Sequence, residues 1–450
     1  MKISQFKHSI ILSVLTVSLI SSNSATANKI YNSQYLSQFL ATSYATQTGE
    51  LDETFGDKGV VKVSFGTSHN KFNKSIVLLD GTILSAGKSV TEDNFTAFTL
   101  VKFNSDGSLD DSFGNNGVVH TKIGISSEIL SISVLNDGSI IAFGKAALAP
   151  DQYQTVLTSY YPDGSLNTAF GNMGILVVDP SIILASAHTI SNNNAIILGG
   201  SSIAKTARGA NAKVFTIAKY DLTGNIVTKF GSQGVTKTQI GVSANVTSIH
   251  AKKDGLIIAA GVSQNADLNN QFTLAKYFSD GALNKTFGQN GIVQTKIGNN
   301  ANITSLSVGT DGSLFAGGFS IQKYLSESSY VITLAKYNPN GTLSNSFGTN
   351  GIVFTKILQN DYLNKQILQD DGSILAVGLS KDKAANNQFI IAKYDPNGSL
   401  NTSFGQEGIV LGDSLDLDAN FVNVTSTNEG SIFVSGESAG EAQAVLAKFN

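Results

Sequence analysis

The sequence predicts an all-β fold of seven similar units, and three observations lead to it: a recurring motif, regular tight turns, and a permuted boundary between the first and last units. The motif is Phe-Gly-x-x-Gly, which recurs at intervals of 58, 57, 60, 57, 60 and 57 residues. Such regular spacing is typical of stacked supersecondary units that share one core. The seven motifs begin at Phe55, Phe113, Phe170, Phe230, Phe287, Phe347 and Phe404.

The composition fits an all-β chain and narrows the classes of partner. The 450 residues include 44 glycines and no cysteine, and 41% are hydrophobic, which suffices for a sizeable core. Only 14% are charged, and Arg208 is the one arginine, so no basic stripe exists that could neutralise nucleic-acid phosphates. We therefore expect no nucleic-acid partner, and a fold held by packing and backbone hydrogen bonds rather than disulfides.

The N-terminus has the three parts of a secretory signal peptide. Lys2 and Lys7 form a basic start, residues 10–20 are an apolar run, and Ala25-Thr26-Ala27 is a small-residue cleavage site. The apolar run is too short to cross a bilayer, which takes about 20 residues. We expect residues 1–27 to be removed and the mature protein to be exported to the periplasm or outside the cell, with no integral membrane segment.

The rest of the chain divides into an arm and one repetitive domain. Residues 28–47 lack the repeat and are rich in Ser, Asn, Gln and Tyr, as a linker or a loosely docked arm would be. Residues 48–450 form seven units of about 58 residues, with no segment left over for a second domain. We expect a single domain and a monomer.

Within a unit, two kinds of tight turn separate four short strands. A β-branched strand follows the motif, as at Val60 to Val63. Apolar runs on either side of Asp80-Gly81 then form a hairpin, because primed turns need a positive φ that glycine tolerates. The fourth run, such as Phe98 to Phe103, ends in a Lys-aromatic pair and closes with a second turn at Asp106-Gly107. Four strands per unit without helical periodicity predict the blade of a β-propeller.

The two chain ends predict how the propeller closes. The last unit stops at Lys448-Phe449-Asn450, where the others continue into a turn, and the missing piece stands at the front as Gly49 to Asp52, before Phe55. A ring whose N-terminal strand completes its C-terminal blade needs this permuted order, whereas an open solenoid needs polar capping units. We predict a seven-bladed β-propeller of four-stranded antiparallel blades, closed by pairing of Leu51 to Val63 with Val445 to Phe449.

The complete repeat pattern also resembles a known family. Leu/Ile-Ala-Lys-Tyr-Asn/Asp-x-Asn/Asp-Gly-x-Leu-x-x-x-Phe-Gly-x-x-Gly-Ile-Val stands in full at 334–353 and 391–410. It is similar to the delta-60 repeat of bacterial secreted and surface proteins, and the likeness covers residues 48–450. The resemblance implies a β-propeller-like fold. It carries over no catalytic residue, because the family has no catalytic motif to match.

Signatures of enzyme active sites are absent or explained by the repeat. Gly436-Glu437-Ser438-Ala439-Gly440 matches a nucleophile elbow, but a strand follows it and no histidine comes later. Sialidase-like, quinone-dependent and copper-radical propellers need arginines, tryptophans or a cysteine that this chain lacks. We predict no catalytic residue, no metal and no cofactor. The histidines fall at different positions of their units, which argues against a shared metal site: His69, His120, His188 and His250.

One regular set of charges is a candidate binding feature. A lysine occupies the same position in six of the seven units, with Ser159 in the other. In a closed ring these lysines would form a circle that could hold an anion by focused potential. The competing interpretation is that each lysine meets the acid or the carbonyls of a nearby turn. The six are Lys102, Lys219, Lys276, Lys336, Lys393 and Lys448.

The connections between the third and fourth strands vary most, and in repeat proteins such variation gathers on the binding face. Their candidate ligand contacts are Tyr153, Arg208, Tyr324 and Tyr330. We predict an exported, non-catalytic binding or scaffold module for a glycan, a cell surface or a protein. The alternative is a hydrolase or lyase with its cleft at the axial opening, which would need converging carboxylates. The variable connections are 88–95, 145–153, 201–214, 262–271, 319–330, 379–388 and 437–443.

Overall fold

The fold consists of β-strands joined by short turns. A computed structural model describes residues 47–191, 195–206, 209–324, 327–381, 387–412, 419–438 and 442–450, without the side chains of Tyr324 and Glu327. Residues 47–427 and 431–450 form one compact unit. The predicted signal peptide and nearly all of the predicted arm lie outside the described residues. Among the described residues, no helical segment has the length and hydropathy of a membrane span.

Four strands recur in each repeat, in the order that the sequence predicts. The first strands in the chain are β1 (Val60–Val63), β2 (Ser68–Val77), β3 (Ile83–Val90), β4 (Thr96–Phe103), β5 (Val118–Thr121), β6 (Ser126–Val134), β7 (Ile140–Ala149), β8 (Gln152–Tyr160), β9 (Ile175–Val177), β10 (Leu184–Ser191), β11 (Ala195–Lys205), β12 (Asn211–Asp221), β13 (Val235–Thr238) and β14 (Ala244–Ala251). The others are β15 (Ile257–Gln264), β16 (Asn270–Tyr277), β17 (Ile292–Thr295), β18 (Ala301–Val308), β19 (Leu314–Tyr324), β20 (Glu327–Tyr337), β21 (Ile352–Thr355), β22 (Asn360–Leu368), β23 (Ile374–Lys381), β24 (Asn387–Tyr394), β25 (Ile409–Leu411), β26 (Ala419–Ser426), β27 (Ile432–Ser438) and β28 (Ala444–Phe449).

The strands form antiparallel sheets of four. Five sheets have four strands each, and one parallel bridge between Thr96 and Ser126 merges β2–β5 with β6–β9 into a sheet of eight. Within a repeat, each strand pairs with the next one along the chain, so a first strand lies at one edge of its sheet. We call β2, β6, β10, β14, β18, β22 and β26 the first strands. Each first strand contacts the next one in this order, and β26 contacts β2.

The N-terminal strand completes the last sheet, as the sequence predicts. β1 pairs antiparallel with β28, with Val60 opposite Ala447. A bridge between Leu51 and Phe449 extends this pairing towards the N-terminus. The sheet order is β1-β28-β27-β26, so two stretches from opposite ends of the chain share one ladder.

The Phe-Gly-x-x-Gly motif joins each repeat to the following one. Phe55 is buried, and the amide of Gly56, which has a φ of 56°, donates to the carbonyl of Asp106 in the next repeat at 2.8 Å. The first glycine of each other motif makes the same bond at 2.7–2.8 Å. Those bonds run from Gly114 to Asp163, Gly171 to Thr223, Gly231 to Asp280, Gly288 to Asn340, Gly348 to Asn397, and Gly405 to Thr48.

The turn that receives this bond has room only for glycine. A Cβ on Gly107 would lie 2.7 Å from the Val61 side chain and 3.1 Å from the amide nitrogen of Gly56, and the φ of Gly107 is 91°. Gly49 meets Gly405 and Val410 in the same way, at 3.1 and 2.8 Å. The segment before β1 therefore packs on the last motif as an internal turn packs on the others.

Apolar clusters fill the space between neighbouring sheets. One contains Leu84 and Phe98 together with Ile129 of the next repeat, and another joins Phe72 to Leu446. Four buried tyrosines at the ends of β8, β16, β20 and β24 add polar links, because each hydroxyl donates to a threonine in the last strand of the preceding set of four, β5, β13, β17 or β21, a bond with a net contribution of about 1 kcal/mol. These links are Tyr160 to Thr121, Tyr277 to Thr238, Tyr337 to Thr295 and Tyr394 to Thr355, at 2.8–2.9 Å.

A disulfide across the β1–β28 ladder tests the pairing of the two chain ends. The chain has no cysteine of its own, so Val60→Cys with Ala447→Cys can form only one internal bridge. We expect that bridge to form under mild oxidation and to raise stability by about 2–4 kcal/mol, measured by urea unfolding with and without reductant. The matched control, Val60→Cys with Ala392→Cys, uses a residue of β24 that faces Ile409 instead, and should form no internal bridge. Free thiols or only intermolecular bridges in the first variant would contradict the pairing.

Candidate functional site

A β-bulge in each first strand sets the geometry of the candidate site. In each first strand, the register against the next strand of its sheet shifts near the middle and leaves one residue unpaired; β2 has a second irregularity between Ser68 and Lys71. Bulges re-aim side chains and recur next to functional sites. The unpaired residues are Asn73, Leu130, Ser186, Thr247, Thr304, Asn364 and Val422.

Polar bulge residues tie neighbouring first strands together. Four of them donate a side-chain hydrogen bond to the main chain of the following first strand, beside that strand's own bulge. The bulges therefore fix the relative height of successive first strands. The bonds are Asn73 to the Ile129 carbonyl, Thr247 to Ile303, Thr304 to Leu363, and Asn364 to Phe421, at 2.6–3.0 Å.

Glu128, near the start of β6, is the centre of a charged cluster. Its carboxylate accepts a hydrogen bond from Asn73 at 2.8 Å and lies 3.7 Å from Lys88 and 3.5 Å from Lys145. Burial alone would raise the pKa of Glu128, but the Asn73 amide and the lysines outweigh it and lower the pKa below its usual range. The Lys145 ammonium also stands 5.6 Å from the ring centre of Tyr153. Glu128 is thus an ionised, paired acid.

An aromatic patch joins β19, β20 and the start of β22. The Tyr330 and Tyr362 ring centres are 5.0 Å apart, and Phe319 lies 5.6 and 5.1 Å from them in edge-to-face contacts. Both tyrosines are partly exposed, and within the described part of the chain neither hydroxyl has a hydrogen-bond partner. Burial, Tyr330 and Asp361 raise the pKa of Tyr362, so its hydroxyl stays protonated and can donate. We call Phe319, Tyr330 and Tyr362 the aromatic patch.

The predicted ligand contacts have different surroundings. Tyr330 lies in the aromatic patch, and Tyr153 is 51% exposed beside Lys145 in a different sheet. Tyr324 ends β19, but its side chain is outside the described residues, as is the whole of Arg208. All three tyrosines lie on strands, not in the loops that the sequence suggested. The reason is that the hairpins are longer than predicted: β19 and β20 pair up to Tyr324 opposite Glu327.

The six equivalent lysines have local surroundings that match the competing interpretation of their role. Lys102 pairs with Asp110, which follows the next turn, at 2.9 Å. Lys448 pairs at 2.8 Å with Asp52, which lies in the N-terminal segment that takes the place of that turn in the last repeat. Lys219 and Lys276 donate to carbonyls of the next repeat, Ser279 and Pro339, at 3.3 Å.

The remaining two equivalent lysines interact with residues of their own repeat. Lys336 lies 5.0 Å from the ring centre of Phe315, and burial lowers the pKa of Lys393, partly offset by the charges of Asp371 and Asp395. Ser159, the residue that breaks the set, accepts a hydrogen bond from the Asn167 side chain at 3.3 Å. Because their charge is engaged locally, these positions are weak candidates for an anion-binding circle.

Two other lysines have different surroundings, because they lie in first strands, directly after a bulge. Lys74 and Lys365 each follow the bulged residue of their strand, and each is partly buried. Burial and the charge of Lys365 lower the pKa of Lys74 to about 7, and burial lowers the pKa of Lys365. Burial and Lys74 lower the pKa of His188 to about 3, and burial with the charges of Lys252 and Lys365 lowers that of His250.

A separate cleft lies beside the β1–β2 connection, and an ion pair occupies part of its lining. It has a volume of about 540 Å³ and is lined by Phe65, Asp93, His120 and Lys122 among others. Lys122 forms an ion pair with Asp93, and burial is the main cause that lowers the pKa of His120. In the described ranges, no three His, Asp or Glu side chains are arranged to hold a metal ion.

The sequence did not predict the bulges or the lysines that follow two of them. The bulged position holds Asn, Leu, Ser, Thr or Val, so no residue type marks it. One signal was available: a lysine stands just before the apolar run that leads into the Asp-Gly turn, at Lys74 and at Lys365. Aromatic residues that alternate with Asn at the start of a strand, as at Tyr362, are a second signal.

Comparison with known proteins supports the propeller-type repeat. Residues 79–113 and 369–404 match the family model described as a domain of unknown function (DUF5122) beta-propeller. Both segments run from the region of a first turn to the Phe of the next Phe-Gly-x-x-Gly motif. Among curated proteins, none matches the chain. The chain is thus similar to a family of β-propeller repeats.

Solved structures similar to this chain have low sequence identity to it. A polysaccharide lyase, Uly1, is 10% identical over 92% of this chain and 95% of its own, with a TM-score of 0.45. YCF48 bound to D1 peptide is 9% identical over 91% and 99%, with a TM-score of 0.44. Drosophila Semaphorin 2a is 9% identical over 91% and 76%, with a TM-score of 0.46.

The lowered pKa of Lys74 predicts a pH dependence of stability. Between the folded value of about 7 and the unfolded value near 10.5, the unfolded chain holds more protons, so stability rises with pH by up to about 1.4 kcal/mol per unit. Lys74→Met removes this contribution. We expect Lys74→Met to raise the free energy of unfolding above that of the parent protein by about 2–3 kcal/mol more at pH 6 than at pH 9, measured in urea titrations.

The control for this measurement is Lys229→Met, which removes an exposed lysine. Its difference from the parent protein should not change with pH. His188, His250 and Lys365 are present in the parent and in both variants, and among the variants only Lys74→Met also removes a charge that acts on His188. An equal effect of Lys74→Met at both pH values would show that Lys74 keeps an ordinary pKa.

Proposed function

We propose that the seven repeats close into a seven-bladed β-propeller of the delta-60 type. Three observations support this proposal: the β1–β28 ladder, the seventh motif bond from Gly405 to Thr48, and the contact of β26 with β2. The Asn423 side chain in β26 also donates to the Ser75 carbonyl in β2 at 3.2 Å, so this bond joins the last repeat to the first. A rod of repeats would leave these groups without such partners.

We infer that this propeller is an exported binding module and that its ligand is a glycan. The observation that carries the inference is the aromatic patch, where Tyr330 and Tyr362 lie side by side, partly exposed, with hydroxyls that have no partner in the described chain. Such a surface offers ring faces for the C–H faces of a sugar and donors for its hydroxyls. The long β19–β20 hairpin positions the patch on paired backbone, so it is preformed.

A hydrolase or lyase is the less supported alternative. Its cleft would need free, converging carboxylates among the first strands, and Glu128 and Asp361 are the only acids on those strands. Glu128 is paired with lysines. Asp361 accepts the backbone amides of Ile357 and Leu358 at 2.8 and 3.0 Å, and the Ser380 hydroxyl. Both acids are committed to structure, which favours binding over bond cleavage.

The test is a glycan-array screen of the mature chain, followed by affinity measurements on the strongest ligand. We expect Tyr330→Ala and Tyr362→Ala each to weaken binding at least tenfold, because each removes one of the three rings of the patch and a hydroxyl donor. Tyr161→Ala, at a tyrosine that is 45% exposed outside the patch, should leave the affinity unchanged.

Two results would overturn this proposal. Unchanged affinity in both patch variants would place the ligand elsewhere. Release of new reducing ends or unsaturated products during incubation with the ligand would favour the enzyme alternative. Circular dichroism of each variant separates loss of binding from loss of fold.

A further inference from the structure

Three consecutive first strands place two amines and an amide at one height. The residue that follows the bulge is Lys365 in β22, Asn423 in β26 and Lys74 in β2. In the other first strands this position is small: Ser131, Ala187, Ser248 and Ser305. The two lysines therefore flank Asn423 on adjacent strands, opposite a set of short side chains.

Hydrogen bonds hold this arrangement in place. The Lys74 ammonium donates to the Asn423 side-chain oxygen at 3.2 Å, and the Asn423 amide donates to the Ser75 carbonyl at 3.2 Å. On the other side, the Asn364 amide donates to the Phe421 carbonyl at 3.0 Å and fixes β22 against β26. Lys365 itself has no hydrogen bond or ion pair with any described residue.

Within the described residues, no acid is paired with either amine. The acids of the first strands, Glu128 and Asp361, are engaged by other groups, and the nearest salt bridge on β2 joins Lys71 to Glu437 at 3.1 Å. His188 adds a ring nitrogen, Nδ1, that is buried without a partner in the described chain. Enclosed charge without a counter-charge is costly, and it persists where an ion of opposite sign binds.

We propose that Lys74 and Lys365, with Asn423 between them, bind a small, multivalent oxoanion of the phosphate or sulfate class. Two ammonium groups supply donors and charge to such an ion, as lysines do at phosphate sites. Both side chains keep partial contact with solvent, so a small ion can reach them. In the closed ring that we propose, the first strands surround the site and exclude a polymer. Burial and the charge of Lys365 lower the pKa of Lys74 to about 7, and burial lowers that of Lys365; a bound anion would oppose both shifts by favouring the protonated amines. This site is separate from the aromatic patch.

The test titrates inorganic phosphate into the full chain at pH 6.5 by isothermal titration calorimetry, at constant ionic strength set with sodium chloride. We expect one site per chain. Lys74→Met and Lys365→Met should each weaken it at least tenfold, Lys229→Met should not change it, and Lys365→Arg should keep it within about threefold because the charge remains. Sulfate should compete with phosphate, and a sulfated polysaccharide should not.

Several results would overturn the proposal. The first is that the parent protein does not bind phosphate. The second is that both Met variants bind phosphate as tightly as the parent protein does. The third is that chloride displaces phosphate as well as sulfate does. Loss of binding in Lys365→Arg with an intact fold would also contradict a site that depends on charge. Competition by the polysaccharide would instead place the anion site on an open surface. Thermal unfolding with and without phosphate gives a second readout for any variant that is poorly soluble.

Discussion

The fold depends on one hydrogen bond that recurs seven times, from the first glycine of a Phe-Gly-x-x-Gly motif to the carbonyl of the turn in the following repeat. The bond requires two backbones to approach closely, which is why a glycine stands on both sides: Gly56 at a φ of 56° and Gly107 at a φ of 91°. The adjacent phenylalanine is buried beneath the same turn. Motif and turn therefore recur with one period because they are two halves of one joint.

Strand pairing follows from this joint. Once neighbouring repeats are fixed at the motif, their first strands lie side by side, and the bulges let side chains such as Asn73 and Thr304 bond to the next strand. The same geometry accounts for the permuted chain ends, because Thr48 and Gly49 supply to Gly405 what an internal turn supplies elsewhere. The N-terminal segment is a structural part of the last repeat.

Much of the fold could be predicted from sequence, and less of the candidate site. Strand order, turn positions and the pairing of Val60 with Ala447 follow from a repeated pattern, because backbone geometry demands the same residue types each time. The ends of β19 and β20 could not be predicted, because Ser-rich and Tyr-rich segments form loops as readily as hairpins. The aromatic patch joins residues of two repeats, so it depends on packing that no single repeat encodes.

The lysines fall into two groups, those that recur in most repeats and two that do not. Lys102 and Lys448 pair with equivalent acids, Asp110 and Asp52, and a charge that is paired in this way contributes little to a shared potential. Lys74 and Lys365 occur at two of seven equivalent positions, where the fold is satisfied by Ser or Ala. A residue that the repeat does not need, and that burial makes costly, is explained by something outside the fold itself.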